Sequence, residues 1–505
     1  MRPPIDTDIS TNGTAAVRFA FLVILLVILS PVSGNAQRSL PDGDVPAEFQ
    51  SMYAELNGIL DNIDAYLGAH WDGTRPPVTF SATLITANGN RGPALLEPRA
   101  LGGVRVALDR LKALGVGGVS IAVTYPLLVS SFPRSPEYLA FYRQVASEVR
   151  QRGMKMLIAT GPAFSDTLFS QVPVDYSNLT FDTYKKEKRE MSETIIRELK
   201  PDFLTLETEP STATMNTGLD FSVKNVTEVV NFCLSGLDRR GVKIGAGIGT
   251  WESMNYIRSL VNTGLDYIDV HVYPIQRNYF LDKVFTIADL ARSRGKEFVL
   301  GESWAYKITD AELGKISFGE IFARDVYSFW SPLDVHFLET IVKTAFHTRM
   351  TFCSFFWMQY FYAYLEYDQV RFLPAAQRIA LLNQAAATNI FLNVLSPTGE
   401  AYQRILASIT GVHQQAAAKG VTLEAAYPNP AALATEIVFS LDHRSDVELV
   451  IRDRLGNVVR CVLDAKLDAG RHRSSISTAD LPPGVYFTVL SVGRTVMVRK
   501  LVVIR

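Results

Sequence analysis

The feature that most limits the fold of this chain is an alternation. Between Pro46 and Val412, short apolar runs recur, each followed by a stretch with apolar residues at helical spacing. Repeated strand–helix units of this kind bury their apolar runs in a parallel sheet covered by helices. Eight runs can be read: Val78–Leu84, Val116–Val123, Lys155–Thr160, Phe203–Glu209, Lys243–Ile248, Tyr267–Tyr273, Glu297–Glu302 and Thr351–Trp357. Arg99–Leu114, Tyr138–Arg152 and Tyr184–Leu199 read as crossover helices, the last with Lys/Glu pairs for an exposed face. Together they predict a closed (β/α)8 TIM barrel over residues 46–412. An open doubly wound sheet would carry a glycine-rich phosphate turn after its first strand, and Thr86-Ala87-Asn88-Gly89-Asn90 is not one.

The two ends read differently. Arg18, the apolar run Phe19–Leu29 and the small-residue site Gly34-Asn35-Ala36 have the order of an export signal, predicted over residues 1–36. The run is shorter than the ~20 residues a membrane span needs, so cleavage is expected, leaving no transmembrane helix in the mature chain. Residues 37–45 read as a linker, as do residues 413–420. Beyond lie short alternating strands: Glu436–Leu441, Val447–Asp453, Val458–Leu467, Gly484–Val492 and Val496–Ile504. Turn signals at Leu455-Gly456-Asn457 and Pro482-Pro483-Gly484 divide them, which predicts a small antiparallel β-sandwich over residues 421–505.

Charge and cysteine remove several functions. With 50 Lys+Arg against 51 Asp+Glu, no basic stripe argues for nucleic acid. Cys233, Cys353 and Cys461 are too scattered for a disulfide framework, and each is expected to be a small buried apolar residue. The seven histidines include no HExxH or HxH, and no CxxC occurs, so no metal set is predicted.

In such a barrel, chemistry sits at the C-terminal ends of strands. There the sequence places Glu207-Thr208-Glu209-Pro210, His271-Val272-Tyr273, Glu302-Ser303-Trp304 and Trp357. Two carboxylates across one mouth suit glycosidic cleavage: one protonates the leaving oxygen, the other attacks the anomeric carbon or activates water. Glu209 and Glu302 are the candidates. Glu207, two residues before Glu209 and on the same face of an extended strand, is a supporting acid or the partner of a buried Arg. His271 and Tyr273 share a face and are expected to hydrogen-bond the two glutamates. Asp269 lies deeper on that face as a structural residue. Trp304 and Trp357 are candidate aromatic contacts for a sugar.

These motifs resemble the retaining glycoside hydrolases of clan A. The resemblance spans roughly residues 76–365 as a spaced set of motifs. Thr208-Glu209-Pro210 stands where that clan has Asn-Glu-Pro, which implies Glu209 as acid/base. Gly301-Glu302 is similar to the nucleophile motif, and His271-x-Tyr273 to the strand-6 motif whose tyrosine contacts the nucleophile. Trp357 is similar to the tryptophan under the reactive sugar. The resemblance implies a retaining double displacement on a β-linked poly- or oligosaccharide, carboxyl groups ~5–5.5 Å apart, and no metal or organic cofactor. Thr208 replaces the asparagine that holds the 2-hydroxyl, and a barrel that binds glycan without cleaving it is the competing reading.

The last segment resembles a type IX secretion sorting domain. Tyr427-Pro428-Asn429-Pro430, Asp453-x-x-Gly456, Ala469-Gly470-x-His472, Leu481-Pro482-Pro483-Gly484-Val485-Tyr486-Phe487 and Arg499-Lys500-Leu501 carry the likeness. It implies the type IX machinery as partner and, with the signal peptide, a secreted or cell-surface location on a Gram-negative bacterium.

Overall fold

The computed structural model describes residues 45–410, 421–424, 426–453, 458–493 and 495–504. The expected signal peptide, all but the last residue of the 37–45 linker, the 413–420 linker and the Leu455-Gly456-Asn457 turn lie outside the described residues. Eight parallel strands form a closed barrel in chain order. They are β1 Thr79–Thr83, β2 Gly118–Ala122, β3 Lys155–Ala159, β4 Phe203–Thr205, β5 Lys243–Gly249, β6 Tyr267–Val272, β7 Glu297–Ser303 and β8 Phe352–Phe355. β8 returns to β1, with Thr79 beside Phe352 and Ala82 beside Phe355. All eight coincide with the apolar runs. β4 stops four residues earlier than expected, because Pro210 opens a short helix, Pro210–Thr217, with Glu209 at its N-cap. The helices Ala100–Leu114 and Ser135–Gln151 fall where helical spacing placed them, while the segment predicted over Tyr184–Leu199 is the helix Phe181–Thr194 closed by a π-turn.

The interior of the barrel is organised along β6. At its start Tyr267 packs with Leu157, Phe203, Val299 and Phe352 from four other strands. The ring fits because β5 has glycine opposite: a Cβ on Gly245 would lie 2.1 Å from it. Asp269, two residues on and wholly buried, accepts from Thr205 Oγ1 of β4 and from the Gly301 amide of β7, both at 2.8 Å. His271 follows at the rim, then Tyr273, as the two-residue period of a strand requires.

Two buried lysines brace the loops above. Lys188, on the helix Phe181–Thr194, reaches Glu207 at 3.2 Å. Lys307, after β7, sits between Asp325 at 2.9 Å and Asp334 at 2.6 Å. Among the described residues, no single helix is long and apolar enough to cross a membrane.

The C-terminal region forms two antiparallel sheets. One holds β9 Val421–Leu423, β10 Ala434–Leu441 and β13 Gly470–Ser477; the other holds β11 Ser445–Arg452, β12 Val458–Leu467, β14 Gly484–Val492 and β15 Thr495–Val503. Phe439 and Ile437 of the first share an apolar core with Leu449, Leu490 and Leu501 of the second. β9 and β13 went unread in the sequence: β9 is three residues long, and β13 is mostly polar (GRHRSSIS), with Ile476 alone giving it an apolar anchor. Cys233 and Cys353 are buried, but the expectation fails at Cys461, which is exposed on the edge strand β12.

Alanine at Gly245 must displace the Tyr267 ring from a filled barrel interior. Gly245→Ala is expected to destabilise the fold by about 1–3 kcal/mol, read as a lower denaturant midpoint with an unchanged slope.

Candidate active site

Four of the residues singled out in the sequence meet at the C-terminal mouth of the barrel. Glu209 arrives on the short segment between β4 and the helix Pro210–Thr217. That helix is held by Glu252, after β5, whose carboxylate accepts from the Ser211 amide at 2.8 Å. A carboxylate at a helix N-terminus satisfies free amides and meets the positive end of the helix dipole. Glu302 stands near the end of β7, directly after the Gly301 amide that Asp269 holds.

Between the glutamates lies His271. Its Nδ1 is 2.7 Å from Glu209 Oε1 and 3.6 Å from Glu302 Oε2. A carboxylate only accepts, so Nδ1 carries the proton and donates to Glu209. Nε2 is buried with no hydrogen-bond partner among the described residues, 4.0 Å from Asp269 Oδ2. Tyr273 donates its hydroxyl to Glu302 Oε2 at 2.7 Å. The two glutamate side chains are only 18% and 16% exposed, enough to face a ligand while mostly out of water.

Electrostatics follow from that burial. Burial pushes the His271 pKa down, but Glu302, the hydrogen bond to Glu209 and the charges of Glu209 and Asp269 outweigh it and raise it to about 9. The Glu302 carboxyl is raised, chiefly by burial and further by Glu209 and Asp269, against the opposing pull of His271 and the Tyr273 hydrogen bond. Close carboxylates with one buried cation titrate as a unit. Glu209, His271 and Glu302 each present a ligand atom within 4.8 Å of the others, which is the one grouping among the described residues where a metal ion would find three donors.

The cluster opens into a cleft of about 670 Å³. Thr208 and Trp357 line it; Trp357 meets Phe322 at 5.1 Å and Phe356 at 4.5 Å. Trp304 does not: it is fully buried, stacked on Tyr360 at 5.4 Å, because it points from β7 into the packing behind the cleft wall. Glu207 is also removed from the pair. Its Oε1 accepts from Tyr184 at 2.7 Å and pairs with Lys188, a buried lysine where the sequence suggested an arginine. Glu207 and Glu209 therefore take separate partners after the β4 ladder ends.

Other cleft residues escaped the sequence reading. Trp251 follows β5 and donates to Ser211 Oγ at 3.3 Å; Asn88, Asn90 and Arg91 follow β1; Tyr306 and Phe322 lie in the connection after β7, Phe322 on its short helix Phe318–Arg324. The β7 loop had a legible signal in its length, since Ser303 and the helix Ser331–Thr348 are separated by far more than an ordinary connection.

The His271 charge state can be tested directly. Its imidazole should titrate near pH 9 by NMR, and Glu302→Gln, which removes the largest stabilising charge, should lower that value. Because the folded pKa exceeds the ordinary 6.5, the stability linked to His271 is full below about pH 6.5 and is lost as pH rises through about 9.

Comparison with known proteins adds the following. An endo-beta-1,4-mannanase from Thermotoga petrophila aligns at 11% identity and a TM-score of 0.36, over 86% of this chain and 99% of that one. A modular endo-beta-1,4-mannanase from Cellulomonas fimi aligns at 14% and 0.35, over 89% and 97%. A glycoside hydrolase family 30 subfamily 8 xylanase from Clostridium acetobutylicum aligns at 14% and 0.37, over 80% and 94%. At these scores the likenesses carry no functional argument, and function is read from the site. No curated protein matches in sequence. Residues 425–504 match the family model of the secretion system C-terminal sorting domain, which marks the chain for export by type IX secretion.

Proposed function

We propose that the barrel is a glycoside hydrolase that cleaves a β-linked glycosidic bond with retention of anomeric configuration. The observation that carries this reading is the pair Glu209 and Glu302 at the barrel mouth, tied to His271 of β6 and to Tyr273 just beyond it, with oxygens within 4.8 Å of one another. An inverting enzyme spaces its carboxyl groups ~6.5–9.5 Å apart to admit a water, whereas direct attack by one carboxylate needs ~5–5.5 Å. The observed proximity favours direct attack.

In the first step Glu302 attacks the anomeric carbon as Glu209 gives its proton to the leaving oxygen, and the glycosidic C–O bond breaks. In the second, Glu209 takes a proton from water, whose oxygen displaces Glu302 and restores the carboxylate. The cycle starts with one glutamate protonated and the other ionised. Burial and the neighbouring carboxylates push the Glu302 carboxyl up, while the His271 cation and the Tyr273 hydrogen bond pull it down, so these two groups support Glu302 as the attacking carboxylate. The Tyr273 hydroxyl steadies Glu302 as the carboxylate leaves. Thr208 takes the place of a substrate-hydroxyl contact, and Trp357 offers a ring face to the sugar. The exported location supports a glycan outside the cell as substrate.

The test is product stereochemistry. With a panel of β-glucosides, galactosides, mannosides and xylosides and the corresponding polysaccharides, proton NMR should record the retained anomer first. Glu302→Gln should reduce turnover to background. Glu209→Ala should lose about 10²–10⁴-fold and, given azide, should yield a glycosyl azide of retained configuration. Binding without turnover in the wild type would leave a glycan-binding barrel; equal activity in wild type and Glu302→Gln would remove Glu302 as nucleophile.

A further inference from the structure

One side of the cleft carries a continuous row of aromatic rings from the nucleophile towards the rim. Tyr273, bonded to Glu302, stacks on Tyr306 at 4.8 Å; Tyr306 meets Phe322 at 5.9 Å; Phe322 meets Phe169 at 5.9 Å, and Phe169 meets Phe164 at 5.6 Å. The wall joins two loops, those after β3 and β7. At the rim they meet where Leu168 lies beside Gly319, its Cδ2 3.4 Å from where a Cβ would stand. Here Leu168 is 58% and Phe318 47% exposed, a large apolar commitment to water unless something covers it.

A bare polysaccharide is a poor occupant for this wall. Aromatic faces can stack on sugar rings, but the aliphatic groups among them, Ile308, Leu313 and Ile316, offer neither a flat face nor a donor or acceptor. Sugar hydroxyls pressed against such groups lose water without replacement, which opposes binding. Polar side chains of the cleft come mainly from the loops after β1 and β4, with Asn88, Asn90, Arg91 and Thr208 among them, while Thr167, Ser170 and Gln171 flank the rings on the β3 loop. The wall is also preformed. Lys307, between Tyr306 and Ile308, is pinned by Asp325 and Asp334, so the β7 loop keeps its place without a ligand.

We propose that the substrate is an amphipathic glycoside, its leaving group an alkyl or aryl chain laid along the wall from Glu302 to Leu168 and Phe318. This rests on the glycosidase reading and adds the class of aglycone. Hydrolysis then releases a free sugar and an apolar alcohol or phenol, the water proton passing through Glu209.

The experiment compares methyl, hexyl, octyl and dodecyl β-glycosides of the four sugars, below their micellar concentrations, with the matching disaccharides. For the cleaved sugar, kcat/KM should rise by about two- to fourfold per methylene until the wall is covered, and should exceed that of the disaccharide. Leu168→Ser and Phe318→Ser, both at exposed positions, should flatten the rise. Binding of the same series to Glu302→Gln, followed by tryptophan fluorescence, separates the two readings. Chain-length-dependent binding with no turnover of any glycoside would sink the glycosidase and keep the groove. Turnover with no dependence on chain length would overturn the amphipathic substrate and keep the glycosidase. Self-association of the wild type that the two rim variants abolish, without chain-length dependence, would give the wall to a second copy of the chain and overturn the proposal as well.

Discussion

The buried carboxylate of Asp269 takes the Thr205 hydroxyl on one oxygen and the Gly301 amide on the other, so that β6 braces the strands leading to both glutamates. Glu209 lies four residues beyond Thr205, and Glu302 is the next residue after Gly301. A carboxylate in the barrel interior would be costly if unpaired. Here its two strong acceptors convert that penalty into a constraint on the spacing of the mouth. Glycine at position 301 is part of the same constraint, because a Cβ there would come within 2.6 Å of both carboxylate oxygens.

Above Asp269 the site manages an excess of negative charge. Three carboxylates surround one imidazole, and that ring is held cationic against its own burial. The positive charge in turn lets the glutamates approach each other. Burial, with the charges of Glu209 and Asp269, pushes the Glu302 carboxyl up against that cation. Tyr273 counters by donating to Glu302. The charge of the cluster thus depends on five side chains on or just beyond β4, β6 and β7 acting together, and no single contact sets it.

Much of this is legible in the sequence. Strand apolarity and helical spacing suffice for the eight βα units, because every strand is buried on both faces and reads as a continuous run. The strand-end positions of Glu209, His271, Tyr273 and Glu302 followed from the barrel itself. What stayed hidden depended on where side chains turn once regular pairing stops. Trp304 and Glu207 sit at strand ends as well, yet one packs behind the wall and the other joins Lys188, nineteen residues away in sequence and unmarked by any local pattern. The apolar wall was equally hidden, since Phe169 and Phe322 come from different loops and meet only in space. In the C-terminal region β13 was missed because its polar residues match no apolar alternation, and pairing along the whole of β10 makes it a strand.

The glycines of β5 impose a different kind of dependence. Gly245 leaves room for the ring of Tyr267, and Gly249 leaves room for the ring of Trp251, each of which would otherwise overlap a Cβ within about the length of two bonds, at 2.1 and 2.2 Å. One ring fills the closed end of the barrel and the other lines the cleft. Volume is therefore shared across the strand boundary: any enlargement of β5 has to be matched by a smaller partner on β6 or in the following loop. Evolution or redesign of this barrel must alter such positions in complementary pairs, which couples the packing of its floor to the shape of its mouth.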